Sequence, residues 1–329
     1  MKEFTFGSPQ SAYWGSLIAD AFAMPVHWYY DRDALDRDYP DLSVFPPPKK
    51  IHPNSILWRS SYQALNEKGQ ILHDQAKFWG VPEVHYHRNL QPGDNTLNFQ
   101  LASLLYEQVS HAKAYDPIAW LNLYIEKMLT PGWHRDTYVE EYHRGFFMNY
   151  ARGKAPLNCG IRDEHIGGLA SVPALFGALF PFLSREELRK TIKTHVALTH
   201  RHSNVLRAAD CLVRLLFDLQ SGLPLREAMM HCAGDWFSTR KAMKWESRPD
   251  REVIGSVLSP VCYIADAFPA ALYLAWKYQD DFGAAVRANA IVGGDSCHRG
   301  AVVGSLVALG DPKGLQVWNE RVERIKQQQ

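Results

Sequence analysis

Three short runs of this sequence gather side chains able to move protons or hold a polar ligand. In Pro92-Gly93-Asp94-Asn95-Thr96-Leu97-Asn98 a carboxylate, an amide and a hydroxyl meet at the start of an apolar helix. Free N–H groups there attract anions, and the side-chain oxygens can meet a hard cation or a sugar hydroxyl. The plainer role for Asp94 or Thr96 is to cap the helix. In Ile291-Val292-Gly293-Gly294-Asp295-Ser296-Cys297-His298-Arg299-Gly300 two glycines precede an acid, so the backbone can turn sharply and approach a ligand or a second helix. Asp295 can equally cap the helix that follows. The third run, Pro131-Gly132-Trp133-His134-Arg135-Asp136-Thr137-Tyr138, continues to His143-Arg144 and offers an acid/base, an anion clamp and a ring for stacking. Asp163-x-His165 and Thr199-His200-Arg201-His202 are further candidates. His85 and His87 stand two apart, as metal ligands can, but 14 histidines make such pairs common by chance, and this pair reads as incidental. No G-x-S-x-G elbow or glycine-rich phosphate loop is present, and Gly300-x-x-x-Gly304 reads as packing.

Helical spacing recurs from end to end while period-2 alternation is scarce, so the expected class is all-α. Ser8-Pro9 should open a helix that runs to about Met24 before Pro25, with Gly15, Ala19 and Ala23 as a small-residue ridge for close contact. Residues 32–92 hold Pro46-Pro47-Pro48, Pro53, Pro82 and Pro92 among aromatics and histidines, and read as a long irregular insertion on the core. From Thr96, Leu97, Leu101, Leu104, Leu105 and Val109 share a face; another helix runs from Asp116-Pro117 to about Met128. Thr137-x-x-Glu140 and Ser184-x-x-Glu187 read as capping boxes. Helices are expected over 205–219, 262–278, 282–291, 299–309 and 315–325. No Ser/Gly-rich linker or fixed-period repeat divides the chain, which predicts one domain over 1–329.

Lys plus Arg (36) nearly cancel Asp plus Glu (35), which argues against a phosphate-backbone partner. Cys159, Cys211, Cys232, Cys262 and Cys297 are odd in number, widely spaced and without a C-x-x-C pair, as expected of reduced cytoplasmic thiols. Met1-Lys2-Glu3-Phe4 leads into no apolar signal region, and the longest apolar run, 172–183, is short and broken by Pro173 and Pro181. Neither export nor a membrane partner is expected.

Taken in order, these segments resemble the ADP-ribosylglycohydrolase superfamily, which includes the dinitrogenase-reductase-activating glycohydrolases and the J-type crystallins. The resemblance covers most of the chain. The run from Gly15 through Asp20 and Pro25 to Val26 looks like the family's opening helix. Gly93-Asp94-Asn95-Thr96 stands where the family has T-D-D-T, Thr199-His200 where it has T-H, and Gly293-Gly294-Asp295-Ser296-Cys297-His298 where it has G-G-D-x-D-T. The resemblance implies a compact orthogonal multi-helix bundle. In typical members those motifs surround two magnesium ions that hold a ribose while water attacks its anomeric carbon. Here His27 stands near the family's glutamate, Asn95 and Cys297 replace aspartates, Gly93 and His298 replace threonines, and only Asp94 and Asp295 are counted as remaining acids. Two carboxylates and an amide cannot neutralise two divalent cations, so no metal or at most one Mg²⁺, on Asp94 and Asp295, is expected.

The resulting expectation is a hydrolase of a glycosidic (N- or O-ribosyl) or amide-like bond in a small sugar-like or ADP-ribosyl substrate. Asp94, Asp295, His134 and Asp136 would perform the acid/base work. His27, Asn95, Thr96, Asn98, Tyr138, His143, Arg144, Asp163, His165, His298 and Arg299 would bind substrate. The alternative is a non-catalytic ligand-binding or crystallin-like protein on the same scaffold.

Overall fold

In the computed structural model, which describes residues 5–328, the opening helix spans Gln10–Ala23, with Pro9 at its N-cap and no side-chain cap from Ser8. Met1 to Phe4 lie outside the described residues. Its small-residue ridge meets the helix Ser296–Gly310 in the most extensive helix–helix contact of the molecule. Gly15 and Gly304 face each other so closely that a Cβ on either would collide with the other's carbonyl oxygen. Small residues at this spacing allow the backbones to touch, and that touch holds Asp20 near the end of one helix, with His27 in the turn beyond it, beside Asp295 and His298 at the start of the other. Gly304→Val should therefore cost about 3 kcal/mol, the upper range for overpacking, read as a lowered denaturation midpoint with unchanged slope.

The architecture is all-α; no strand occurs among the described residues, only isolated bridges. Leu97–Ala112, Pro117–Leu129, Arg185–Val196, Ser203–Gln220, Ile264–Lys277, Phe282–Ile291 and Pro312–Gln327 form helices near the expected places. The Ser184 capping box forms in full. The Thr137 box does not. That helix begins at Glu141, Thr137 is buried with its hydroxyl unpartnered, and Glu140 ends the preceding loop. The helix after the double glycine begins three residues earlier than expected, at Ser296.

Residues 32–92 contain one short helix, Arg32–Asp38, and isolated 3-10 turns. This segment is more than a cover, because it delivers His85 and His87 to the interior. A single apolar cluster extends from Ala12 to Val322 and includes residues of nearly every long helix. All five cysteines are free, and no helix among the described residues is long and apolar enough to cross a membrane.

Candidate functional site

A two-bond backbone clasp sets the geometry around Asp295. The chain leaves the opening helix through the turn Met24–Val26, and Trp28 N donates to Gly294 O (2.8 Å) while Gly294 N donates to Tyr29 O (2.7 Å). Gly293 and Gly294 adopt φ of +76° and +72°, and a Cβ on them would strike Tyr29 O and Pro260 O respectively, so both glycines are required. Asp295 then caps the following helix, with Oδ1 accepting from His298 N (3.2 Å). The same oxygen lies 3.0 Å from His27 Nε2 and 2.9 Å from His298 Nδ1.

A third imidazole comes from the far side. His165 is tied by a bridge to Tyr263, and its N–H donates to Asp163 Oδ1 (2.8 Å). His165 Nδ1 accepts from Gly167 N (2.8 Å), which leaves the ring hydrogen on Nε2. That edge faces Asp295 Oδ2 at 3.3 Å and Glu140 Oε2 at 3.9 Å. The first contact is short enough for an ion pair but out of line for a hydrogen bond, so Asp295 Oδ2 has no hydrogen-bond partner. Asp295 is wholly buried, whereas Glu140 and His165 keep 8% and 11% of their side-chain surface, so solvent meets the cluster on their side.

Beneath these groups lies the N-terminus of the Leu97 helix, capped by two distant carboxylates. Asp20 accepts from Thr96 N (2.9 Å), Thr96 Oγ1 (2.9 Å) and Asn95 Nδ2 (2.9 Å). Asp136 Oδ2 accepts from Leu97 N (2.8 Å), and its other oxygen is 2.6 Å from His87 Nδ1. Acids at this end are favoured by the free N–H groups and the helix dipole. At the second residue of that helix, Asn98 joins Tyr142, His143 (2.8 Å) and His298 Nε2 (2.5 Å), beside a cavity of about 50 Å³ that Thr199 and His200 also line.

Burial pushes Glu140 up to about 8, against the pull of His298 and with the repulsion of Asp295. Burial would raise Asp295 too, but the His298 charge and the hydrogen bonds from His27 and His298 hold it well below the usual carboxylate range. Burial takes His27 down to about 3 and His165 to about 4, each opposed by Asp295. For His298 burial is outweighed by Asp295, with Glu140 and Asp20, and the ring is pushed up to about 9. Two hydrogen arrangements satisfy its Nε2 contact with Asn98. Either the Asn98 amide donates to a neutral ring, or the amide is turned and its oxygen accepts from a protonated one; the surrounding carboxylates favour the second.

The structure thus brings together Asp295, His27, His165, His298 and Asn98, with Asp136 reaching them through His87. The anticipated convergence of Asp94 with Asp295 does not occur. Asp94 closes a turn by accepting from Gln91 N (2.9 Å) and pairs with Arg135 (3.3 Å) at a surface cleft. His134 turns to Ile71 O (3.3 Å). Arg299 is buried under the double glycine, donating to Asn289 Oδ1 (2.9 Å), Asn289 O (2.9 Å) and Gly293 O (2.8 Å), so it braces the turn and offers no anion clamp to the mouth. Arg144 is held by Val139 O (3.1 Å) over Trp79, where Tyr138 also stacks. Asn95 and Thr96 serve Asp20, and His143 bonds Tyr124 (2.7 Å) behind Asn98. Asp163 positions His165.

Sequence reasoning passed over three members: Asp20, His87 and Glu140. Asp20 is the one acid in an otherwise uncharged helix, which was a readable signal. Glu140 was concealed by its match to a capping box, and His87 by the abundance of histidine.

This donor set does not fit magnesium. Asp20 is saturated by Asn95 and Thr96, Asp295 Oδ1 by nitrogen donors, and the remaining neighbours are imidazoles, the Cys262 thiol and Glu140, which burial keeps protonated. Magnesium demands a near-ideal octahedron of oxygens, and the His165 Nε2 hydrogen and the cationic character of His298 oppose any cation beside Asp295.

An all-helical bundle with its polar cluster at the ends of the first and penultimate long helices defines the class of protein. The ADP-ribosylglycohydrolase family model matches residues 10–315, and the chain belongs to that family. Among solved structures it is similar to a chain of an ADP-ribosylglycohydrolase-related protein complex, at 17% identity and a TM-score of 0.54, over 97% of this chain and 99% of that one. At that identity the likeness is one of fold. No curated protein matches the chain.

Proposed function

We propose that the chain hydrolyses a glycosidic bond, N- or O-ribosyl, of a small sugar-like or ADP-ribosyl molecule, using Asp295 and Glu140 in a remodelled site. The observation that carries this reading is the approach of both carboxyl groups to one imidazole edge, His165 Nε2, at 3.3 and 3.9 Å. Their opposite ionisation supports it. A neutral Glu140 can protonate a departing heteroatom, while an ionised Asp295, with Oδ2 free, can take a proton from water or face the cationic sugar of the transition state. Water adds at the anomeric carbon, the C–N or C–O pair leaves with the leaving group, and that group takes the Glu140 proton.

The test is hydrolysis of a panel of ADP-ribosylated amino acids and nitrophenyl ribosides by the purified chain. Turnover that falls with Asp295→Asn supports the reading; no turnover on any member of the panel, or turnover unchanged in the variant, removes it. Asp94→Ala should leave turnover within about twofold and stability within about 1 kcal/mol, since an exposed ion pair contributes little.

The second reading is a non-catalytic ligand-binding or crystallin-like protein. It is favoured by the saturation of Asp20 and of Asp295 Oδ1 by neighbouring donors, which leaves few groups free for chemistry. On either reading the proposed partner is a small molecule, not nucleic acid or membrane, and the proposed setting is the cytoplasm. A single functional unit over 1–329 belongs to the same proposal.

A further inference from the structure

The hydrogen-bonded chain Asp136–His87–His27–Asp295 joins two buried carboxylates through two buried imidazoles. Its three contacts are 2.6 Å (Asp136 Oδ1 to His87 Nδ1), 2.7 Å (His87 Nε2 to His27 Nδ1) and 3.0 Å (His27 Nε2 to Asp295 Oδ1). The two rings are coplanar within 1° with centroids 5.0 Å apart, so the nitrogen–nitrogen contact lies in the ring planes, edge to edge. All four residues are buried.

Each contact needs one hydrogen, and two neutral imidazoles bring only two. If both rings were neutral, with hydrogens directed at the carboxylates, two lone pairs would face each other at 2.7 Å in a place water does not reach. Moving one hydrogen to the central contact would instead leave a carboxylate oxygen against a lone pair. Both arrangements leave buried polar atoms unsatisfied.

We propose that this chain holds one excess proton, carried by His87 as a buried imidazolium, and that Asp136 and His87 are positioning residues acting through His27 on Asp295. His87 donates from Nδ1 to Asp136 and from Nε2 to His27. His27 is thereby confined to the tautomer with hydrogen on Nε2, and that hydrogen is spent on Asp295 Oδ1. The carboxylate stays ionised, with Oδ2 as its available atom. Asp136 balances the imidazolium and is itself anchored by Leu97 N (2.8 Å).

The titratable groups around the chain are consistent with this. His85 fixes the His87 backbone by accepting from its N–H (3.0 Å) and donates its other edge to Pro25 O (2.9 Å), so it has no free hydrogen to exchange with the chain. His298 bonds the chain at Asp295 and packs edge-on against the His27 ring (centroids 5.4 Å), His52 and His85 flank the rings from the insertion, and Cys297 from the Ser296 helix stands within reach of His27 and His87. His134 approaches from the Asp136 loop, within electrostatic reach of that carboxylate.

This inference rests on the proposed role of Asp295, but its test does not require turnover. Nitrogen-15 spectra of the full chain with labelled histidine, assigned with His87→Gln and His27→Gln, should show hydrogens on both ring nitrogens of His87 near neutral pH. His27 should carry one, on Nε2. Asp136→Asn, checked for fold by circular dichroism, should return His87 to a singly protonated ring. A neutral His87 in the unaltered protein would overturn the inference. Doubly protonated His87 in a chain that hydrolyses nothing would leave it standing and remove only the function proposed above.

Discussion

Asp295→Asn should lower hydrolysis on the order of 10²–10⁴-fold, the range for loss of a positioned proton-transfer group, and should also be the most destabilising single change at the site. Three imidazoles, His27, His165 and His298, converge on this one carboxylate. An amide keeps the shape but removes the charge that offsets a protonated His298, leaving a buried cation without its partner, at about 3–5 kcal/mol. The pH dependence has a defined sign. The folded state depresses Asp295, so its contribution is present above the ordinary carboxylate value of 3.8 and is lost as pH falls toward its folded value. Calorimetry at pH 7 and pH 3 should show the deficit of the variant shrinking in acid. A variant as stable as the parent at pH 7 would contradict this account of the cluster.

Glu140→Gln should separate activity from stability. Burial raises this carboxyl from 4.5 to about 8, so the folded chain holds its proton more tightly than the unfolded chain does. Its favourable contribution is complete below 4.5 and is lost as pH rises through about 8, when a carboxylate must form in the interior. Glutamine cannot ionise. The variant should melt several degrees above the parent at pH 9 and close to it at pH 4, while hydrolysis falls on the order of 10²–10³-fold because no proton reaches the leaving group. His298 gives up its own proton near 9, so the parent loses stability there for two reasons. The variant retains only the second. Parent activity should decline above pH 8; activity that kept rising to pH 9 would assign the acid elsewhere.

The helices were readable because their signals are local. Leu97, Leu101, Leu105 and Val109 repeat at helical spacing, and Ser184 with Glu187 satisfies a box four residues long. The site was only partly readable because its bonds join distant parts of the chain. Asp295 and His298 were visible beside the double glycine, and His27 beside the end of the opening helix. The partner of Asp295 was misjudged: Asp94 stands next to the helix start it seemed made for, yet Asp20 and Asp136 supply that cap from 76 and 39 residues away. A carboxylate can cap a helix from any distance in sequence, so adjacency was a poor guide. Thr137 failed as a cap for the related reason that Glu140 is drawn toward the His165 mouth.

The crossing of Gly15 over Gly304 places Asp295 and its partner His298 at one end of the most extensive helix–helix contact among the described residues. Hydrogen exchange at amides flanking Asp20 and His298 should then require the whole chain to open, because no smaller unit can part these two helices. Many catalysts keep their working groups on segments that fray before the body melts. Here heat or denaturant would part Asp295 from the opening helix only at the moment the fold itself is lost, so an earlier loss of function would have to begin at the Glu140 loop.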